Sequence, residues 1–184
     1  RHRLMWLFIK EKTNLFSDNL KFLHIAPEYC FINIFKRMKN LDYTTGDLIS
    51  PWADVKMDVH DIPFEDNSFD VVICNHVLEH VDDYKIVMKE FYRVMKTGGW
   101  GIFQVPIDTN NNHTIEDKNI VDPKERERLY WQSDHLRLFG LDYGKKLADA
   151  GFKVTESDFI NEIGADLVER YALPKGEIVY FCKK

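Results

Sequence analysis

The segment Asp70–Asn75, DVVICN, constrains this chain most: its apolar character is nearly continuous, yet it is far too short to span a bilayer. Such a run fits a strand covered on both faces, which requires helices on both sides of a largely parallel sheet. The rest of the sequence supplies the other layers. Phe22–Ala26, Tyr43–Asp47, Val55–Asp58, Trp100–Val105, Phe152–Ser157 and Glu177–Cys182 read as further strands. Phe31–Met38 reads as a helix, and so does Tyr84–Met95, with apolar residues at Ile86, Val87, Phe91, Val94 and Met95 and a glycine stop at Thr97-Gly98-Gly99. Leu141–Ala150 is a third helix closed by Gly151, and residues 1–16 form an amphipathic helix through Leu4, Leu7, Phe8, Leu15 and Phe16. The alternation predicts an α/β fold: a doubly wound, mostly parallel seven-stranded sheet with helices on both faces.

At 184 residues and 45% apolar side chains, the chain is expected to form a single domain over residues 1–184 around one core. Residues 106–138 are polar and longer than a strand-to-helix connection needs, so an inserted lid or substrate loop is expected there. Residues 161–174 form a second excursion. Thirty acidic and 25 basic residues are interspersed, and the net charge is −5. This balance offers no phosphate-tracking face, so nucleic acid is not expected as a partner. Cys30, Cys74 and Cys182 lie far apart in apolar contexts, which suits reduced thiols, a cytoplasmic setting and no metal cluster. No apolar run approaches a membrane span. Because the chain begins on Arg1, either a leader or upstream segment has been removed or the polypeptide was cut to these bounds.

Two carboxylates fall at predicted strand ends, the edge where open sheets bind ligands. Asp58 suits an exocyclic amine, and Asp47, in YTTGDL, ends the second predicted strand. The block MDVHDIPFEDNSFDVVICNHVLEHVDD, followed by MKTGGWGIFQVP and LFGLDYGKKLADAGFKV, resembles the class I S-adenosylmethionine-dependent methyltransferases of type 11. The resemblance runs from about Lys21 to the end and implies S-adenosyl-L-methionine as cofactor. It implies that Asp47 bridges the ribose hydroxyls, Asp58 accepts from the adenine amine, and Val59 donates its backbone N–H to the ring. Asn75 and His76 then line the methionine end. The family's first loop, acid-x-Gly-x-Gly-x-Gly, falls here on His24, Ala26, Glu28 and Cys30, so every position departs from the pattern. A functional substitute is expected. Pro27 would fix the turn, Ala26 would leave room, and Glu28 would offer its carboxylate to the cofactor's ammonium group, with the cofactor's own carboxylate kept at a distance by His24 or by backbone N–H groups.

The function so implied is methyl transfer to an oxygen or nitrogen of a small, polar metabolite or sugar-like acceptor. The alternative is an inactive scaffold on the same fold. His135, in SDHLRLFG, is the candidate general base, with Asp134 to orient it. Tyr130, Trp131, Arg137 and Tyr143 form a candidate rim for the small-molecule substrate. Glu79 and His80 read as structural, and no metal site is expected. A nicotinamide enzyme is disfavoured, because Gly-x-Gly-x-x-Gly is missing and Glu28 would repel a pyrophosphate.

Overall fold

The structure, a computed structural model, describes residues 2–174 and 176–184. Its sheet contains β1 (Leu20–Ile25), β2 (Leu41–Asp47), β3 (Val55–Lys56), β4 (Phe69–Asn75), β5 (Met95–Gln104), β6 (Lys153–Ser157) and β7 (Val179–Lys183). Their order is β3-β2-β1-β4-β5-β7-β6. The pairs from β3 to β5 are parallel, and β7 runs antiparallel to both β5 and β6. The mostly parallel seven-stranded sheet expected from the sequence is present. β1 and β4 sit at its centre, and Phe22–Ile25 and Val71–Asn75 are buried throughout, as continuous apolar strands must be.

Helices cover both faces: α1 (His2–Lys12), α2 (Tyr29–Phe35), α3 (Tyr84–Val94), α4 (Pro123–Tyr130), α5 (Tyr143–Asp149), α6 (Phe159–Glu162) and α7 (Ala165–Arg170). Strand alternation divides the apolar side chains into two cores. Leu23, Ile25, Val72, Cys74 and Phe103 face α3 and α5, with Met88, Phe91 and Leu147 packed on them. Phe22, Val71, Ile73 and Ile102 face the other way, onto Leu4, Phe8, Phe31, Phe35 and Phe159.

Several boundaries differ from the sequence reading, among them β3, which ends at Lys56 and leaves Asp58 two residues beyond the strand. β5 begins at Met95 without a loop after α3, because Met95 pairs with Phe69 before the register shifts to Val71 and Trp100. The Thr97-Gly98-Gly99 signal therefore marks an irregularity inside the strand, where Gly98 takes φ +83° and its N–H donates to the Lys184 carbonyl. α2 starts two residues earlier than expected and ends at Phe35, and the first helix stops at Lys12 although Leu15 is still buried. Residues 106–138 contain α4 and are closed on themselves by bridges from Ile115 to Leu138 and from Ile107 to the adjoining Phe139, while the Leu136 N–H and the Arg137 side chain fasten them to the carbonyls of Glu79 and of Leu78, Val81 and Asp82.

Candidate functional site

The carboxyl ends of β1, β2 and β4 carry two depressions. The first, of about 380 Å³, is lined by Asp47, Asp58, Val59 and His60, and by Ala26, Val77 and His80. The second, of about 340 Å³, is lined by Glu28, Asn75, His76 and Gln104, with Leu4, Met5, Ile102 and Val179 as its apolar wall. They adjoin along the chain, since Ala26 and Glu28 flank one turn and His76 and Val77 are neighbours.

In the first depression each acid is held by its own loop. Asp47 Oδ1 accepts from the N–H groups of Ile49 (2.8 Å) and Ser50 (2.7 Å). Asp58 Oδ1 accepts from the His60 backbone N–H at 2.9 Å and lies 2.7 Å from His60 Nδ1. The backbone and ring bonds from His60 hold the Asp58 carboxyl below its ordinary pKa. Each acid thus uses one oxygen locally and keeps the second outside these bonds, a donor set that suits a diol and an amine. His60 was not singled out in the sequence. Its signal was the tight Asp-x-His spacing after a short strand.

Ala26 adopts φ +47°, the left-handed conformation a glycine would take there, and its N–H donates to the Gly46 carbonyl at 2.9 Å. Glu28 precedes α2 but makes no side-chain cap; its carboxylate turns into the sheet edge. One oxygen lies 2.7 Å from His24 Nε2 and the other accepts from Asn75 Nδ2 at 2.8 Å. Burial pushes the Glu28 carboxyl up, but the hydrogen bond and charge of His24 and the Asn75 bond outweigh it, so it titrates below its ordinary value. His24 Nδ1 meets the Tyr43 hydroxyl at 2.9 Å, and burial together with the charges of Glu28 and Asp54 pushes that phenol well up. The Asn75 side-chain nitrogen also reaches Met5 Sδ at 3.1 Å, while its Oδ1 is buried with no partner among the described residues. This wall therefore offers a carboxylate and an unsatisfied amide oxygen, acceptors that fit an ammonium group.

Several expected site residues lie elsewhere. His24 is fully buried behind Glu28 and lines neither depression: it points into the α2 side of the sheet and can act on a ligand only through Glu28. His135 is 3% exposed, its Nδ1 lies 2.7 Å from the Tyr130 carbonyl, and its ring packs edge-on against His80. Burial holds its pKa below the ordinary imidazole value, against the raising effect of that carbonyl and of Glu79. No residue of 106–138 lines either depression, so the expected rim does not form there. Arg137 is instead a buried clamp, donating to the carbonyls of Leu78 (2.7 Å), Val81 (2.5 Å) and Asp82 (3.1 Å) and pairing with Glu116. Tyr143 is buried with its hydroxyl donating to the Phe103 carbonyl, and Tyr130 is buried with its hydroxyl accepting from the Asp117 N–H. Trp131 is half exposed at the left-handed end of α4. His76, also left-handed at φ +56°, does line the second depression, with its Nδ1 3.1 Å from Glu79 Oε1. Gln104 and Met5 are wall residues that sequence reading missed, because only the packing of α1 on the end of β5 brings them there.

Residues 25–103 match the family model described as a methyltransferase domain. The chain is 39% identical over 84 residues to the demethylmenaquinone methyltransferase of Staphylococcus haemolyticus (strain JCSC1435), covering 46% of this chain and 28% of that protein. It thus spans less than a third of the length of the curated relatives it matches. A 1,6-didemethyltoxoflavin-N1-methyltransferase from Burkholderia thailandensis, solved with bound 1,6-didemethyltoxoflavin and S-adenosylhomocysteine, superposes with a TM-score of 0.64 at 14% identity. That match covers 100% of this chain and 77% of the other. The [4+2]-cyclase SpnF superposes at 0.68 with 13% identity, over 99% of this chain and 80% of the other. At such identities these likenesses show the fold alone. Among the described residues, no helix is long and apolar enough to cross a membrane.

Proposed function

We propose that this chain, which carries a methyltransferase domain over residues 25–103 within a class I S-adenosylmethionine-dependent methyltransferase fold, transfers a methyl group to an oxygen or nitrogen of a small acceptor. The observation that carries the reading is the pair of adjoining depressions, one with Asp47, Asp58 and Val59, the other with Glu28, Asn75 and His76. Asp47 and Asp58 would hold the ribose hydroxyls and the adenine amine, and Glu28 with Asn75 Oδ1 would hold the ammonium end. When bound, S-adenosylmethionine supplies an electrophilic methyl group on a sulfonium. The chain's own contribution is alignment of the acceptor atom, which can remove several kcal/mol of the barrier. His76, on the wall of the second depression, is the group suited to take the acceptor's proton, in preference to the buried His135. The apolar wall of Leu4, Met5, Ile102 and Val179 favours an acceptor with a polar reacting end and a compact apolar body over a heavily hydroxylated sugar. A cytoplasmic setting accords with three free cysteines.

The test is calorimetric titration of the chain with S-adenosylmethionine and S-adenosylhomocysteine, beside Asp47→Ala. Micromolar binding that the substitution weakens supports the reading. No binding at millimolar ligand overturns it.

A further inference from the structure

Behind the first depression, Glu79, His80 and His135 bring one carboxylate oxygen and two imidazole nitrogens within 4.8 Å of one another. We propose that these three side chains bind one divalent transition-metal ion of the zinc type. The methyl-transfer reading assigns none of them a role, and the metal site does not depend on that reading.

Glu79 carries the first part of the argument. Its residue is 1% exposed; Oε1 meets His76 Nδ1, but Oε2 is buried with no partner among the described residues. A buried carboxylate oxygen without a donor is costly, and a cation is the partner that answers it best. The two histidines carry the second part. His135 Nδ1 is engaged by the Tyr130 carbonyl at 2.7 Å, and His80 Nδ1 faces the Asp134 carboxylate at 3.4 Å. A metal-ligating imidazole characteristically donates its other ring N–H to a carbonyl or carboxylate, which fixes the tautomer and leaves Nε2 as the ligand atom. Both histidines have that outer partner. The segment bearing His135 is also fastened to the turn bearing Glu79, because the Leu136 N–H donates to the Glu79 carbonyl at 2.8 Å and Arg137 grips the carbonyls of Leu78 and Val81. The ligands are therefore held by backbone contacts that need no ion. Two imidazoles and one carboxylate suit zinc or cobalt, disfavour magnesium, and leave one tetrahedral position for a further ligand. His80 lines the first depression, so the site borders it.

The experiment uses the full chain, stripped with a chelator and titrated with Zn²⁺ by calorimetry and with Co²⁺ by visible spectroscopy. One equivalent is expected to bind at micromolar concentration or tighter, with the intense d–d bands of a four- or five-coordinate cobalt site. Glu79→Gln and His135→Ala should each weaken binding at least 100-fold, Asp134→Asn about tenfold, and His113→Ala not at all. If His135→Ala does not fold, as far-ultraviolet circular dichroism would show, His80→Asn takes its place. The proposal is overturned by the absence of saturable binding at 1 mM metal, by a Co²⁺ spectrum of purely octahedral intensity, or by variants that bind like the parent. None of these readouts involves methyl transfer, so failure of the metal site and failure of the proposed activity remain distinguishable.

Discussion

The two depressions share one sheet edge but are built in opposite ways. In the first, Asp47 and Asp58 are held by hydrogen bonds to residues two or three positions away, and the Asp58 side chain is largely exposed. In the second, Glu28 joins β1 and β4: it binds His24 beneath it and Asn75, which lies 47 residues further along the chain. A locally held acid is free to serve a ligand at little cost to the fold. An acid tied into the core serves both, so its loss is felt first as instability.

The sharpest test of this difference is Glu28→Ala. It strips a partner from fully buried His24 and from buried Asn75, and is expected to lower unfolding free energy by about 3 kcal/mol in urea titration. Asp58→Ala should leave the urea midpoint nearly unchanged; equal losses would erase the distinction. Next in size is Asp47→Ala, expected to weaken cofactor binding by about 2 kcal/mol, roughly 30-fold, in calorimetry. Its effect on stability should stay within about 1 kcal/mol, since only two loop N–H groups, one exposed and one partly buried, lose their acceptor.

Acid sensitivity sharpens the comparison further. The Glu28 carboxyl is depressed in the folded state, so its stabilising contribution is complete above the ordinary value of 4.5 and is lost as pH falls through the lower folded value. Thermal melts between pH 6 and 3 should therefore fall more steeply for the parent than for Glu28→Gln, and parallel curves would count against the buried pairing. The smallest effect belongs to Ala26→Gly. Relief of a left-handed alanine is worth about 1 kcal/mol or less, because the freer unfolded chain offsets part of it. Cofactor binding should survive this change, and a loss would mean that the Ala26 methyl group, not the backbone path, makes the wall.

Some of this was legible in the sequence and some was not. The strands β1 and β4 announce themselves because a strand buried on both faces must be apolar at successive positions. Asp47 was legible for a related reason: the residue ending a parallel strand lies at the ligand edge whatever the packing around it, whereas Asp58 falls two residues past the end of β3 and reaches the same edge from the following segment. The role of His24 was not, since a histidine after an apolar run looks alike whether it faces a ligand or a buried carboxylate. His135 misled in the same way. Its polar neighbours suggested an open loop, but the Arg137 clamp draws that segment into the body and buries the ring. The glycine pair after α3 also read as a helix stop, and only the pairing of Met95 with Phe69 of β4 shows that β5 has already begun.

The sequence by itself therefore determined the alternation of elements, the doubly wound sheet and the two acids at its carboxyl edge. Those features follow from periodicity and chain order, which are local properties. The tertiary structure alone decided that β7 inserts antiparallel between β5 and β6, that Glu28 is joined to His24 and Asn75, and that Glu79, His80 and His135 converge. These depend on contacts between residues distant in sequence, where packing, and not residue type, settles which side chain meets which.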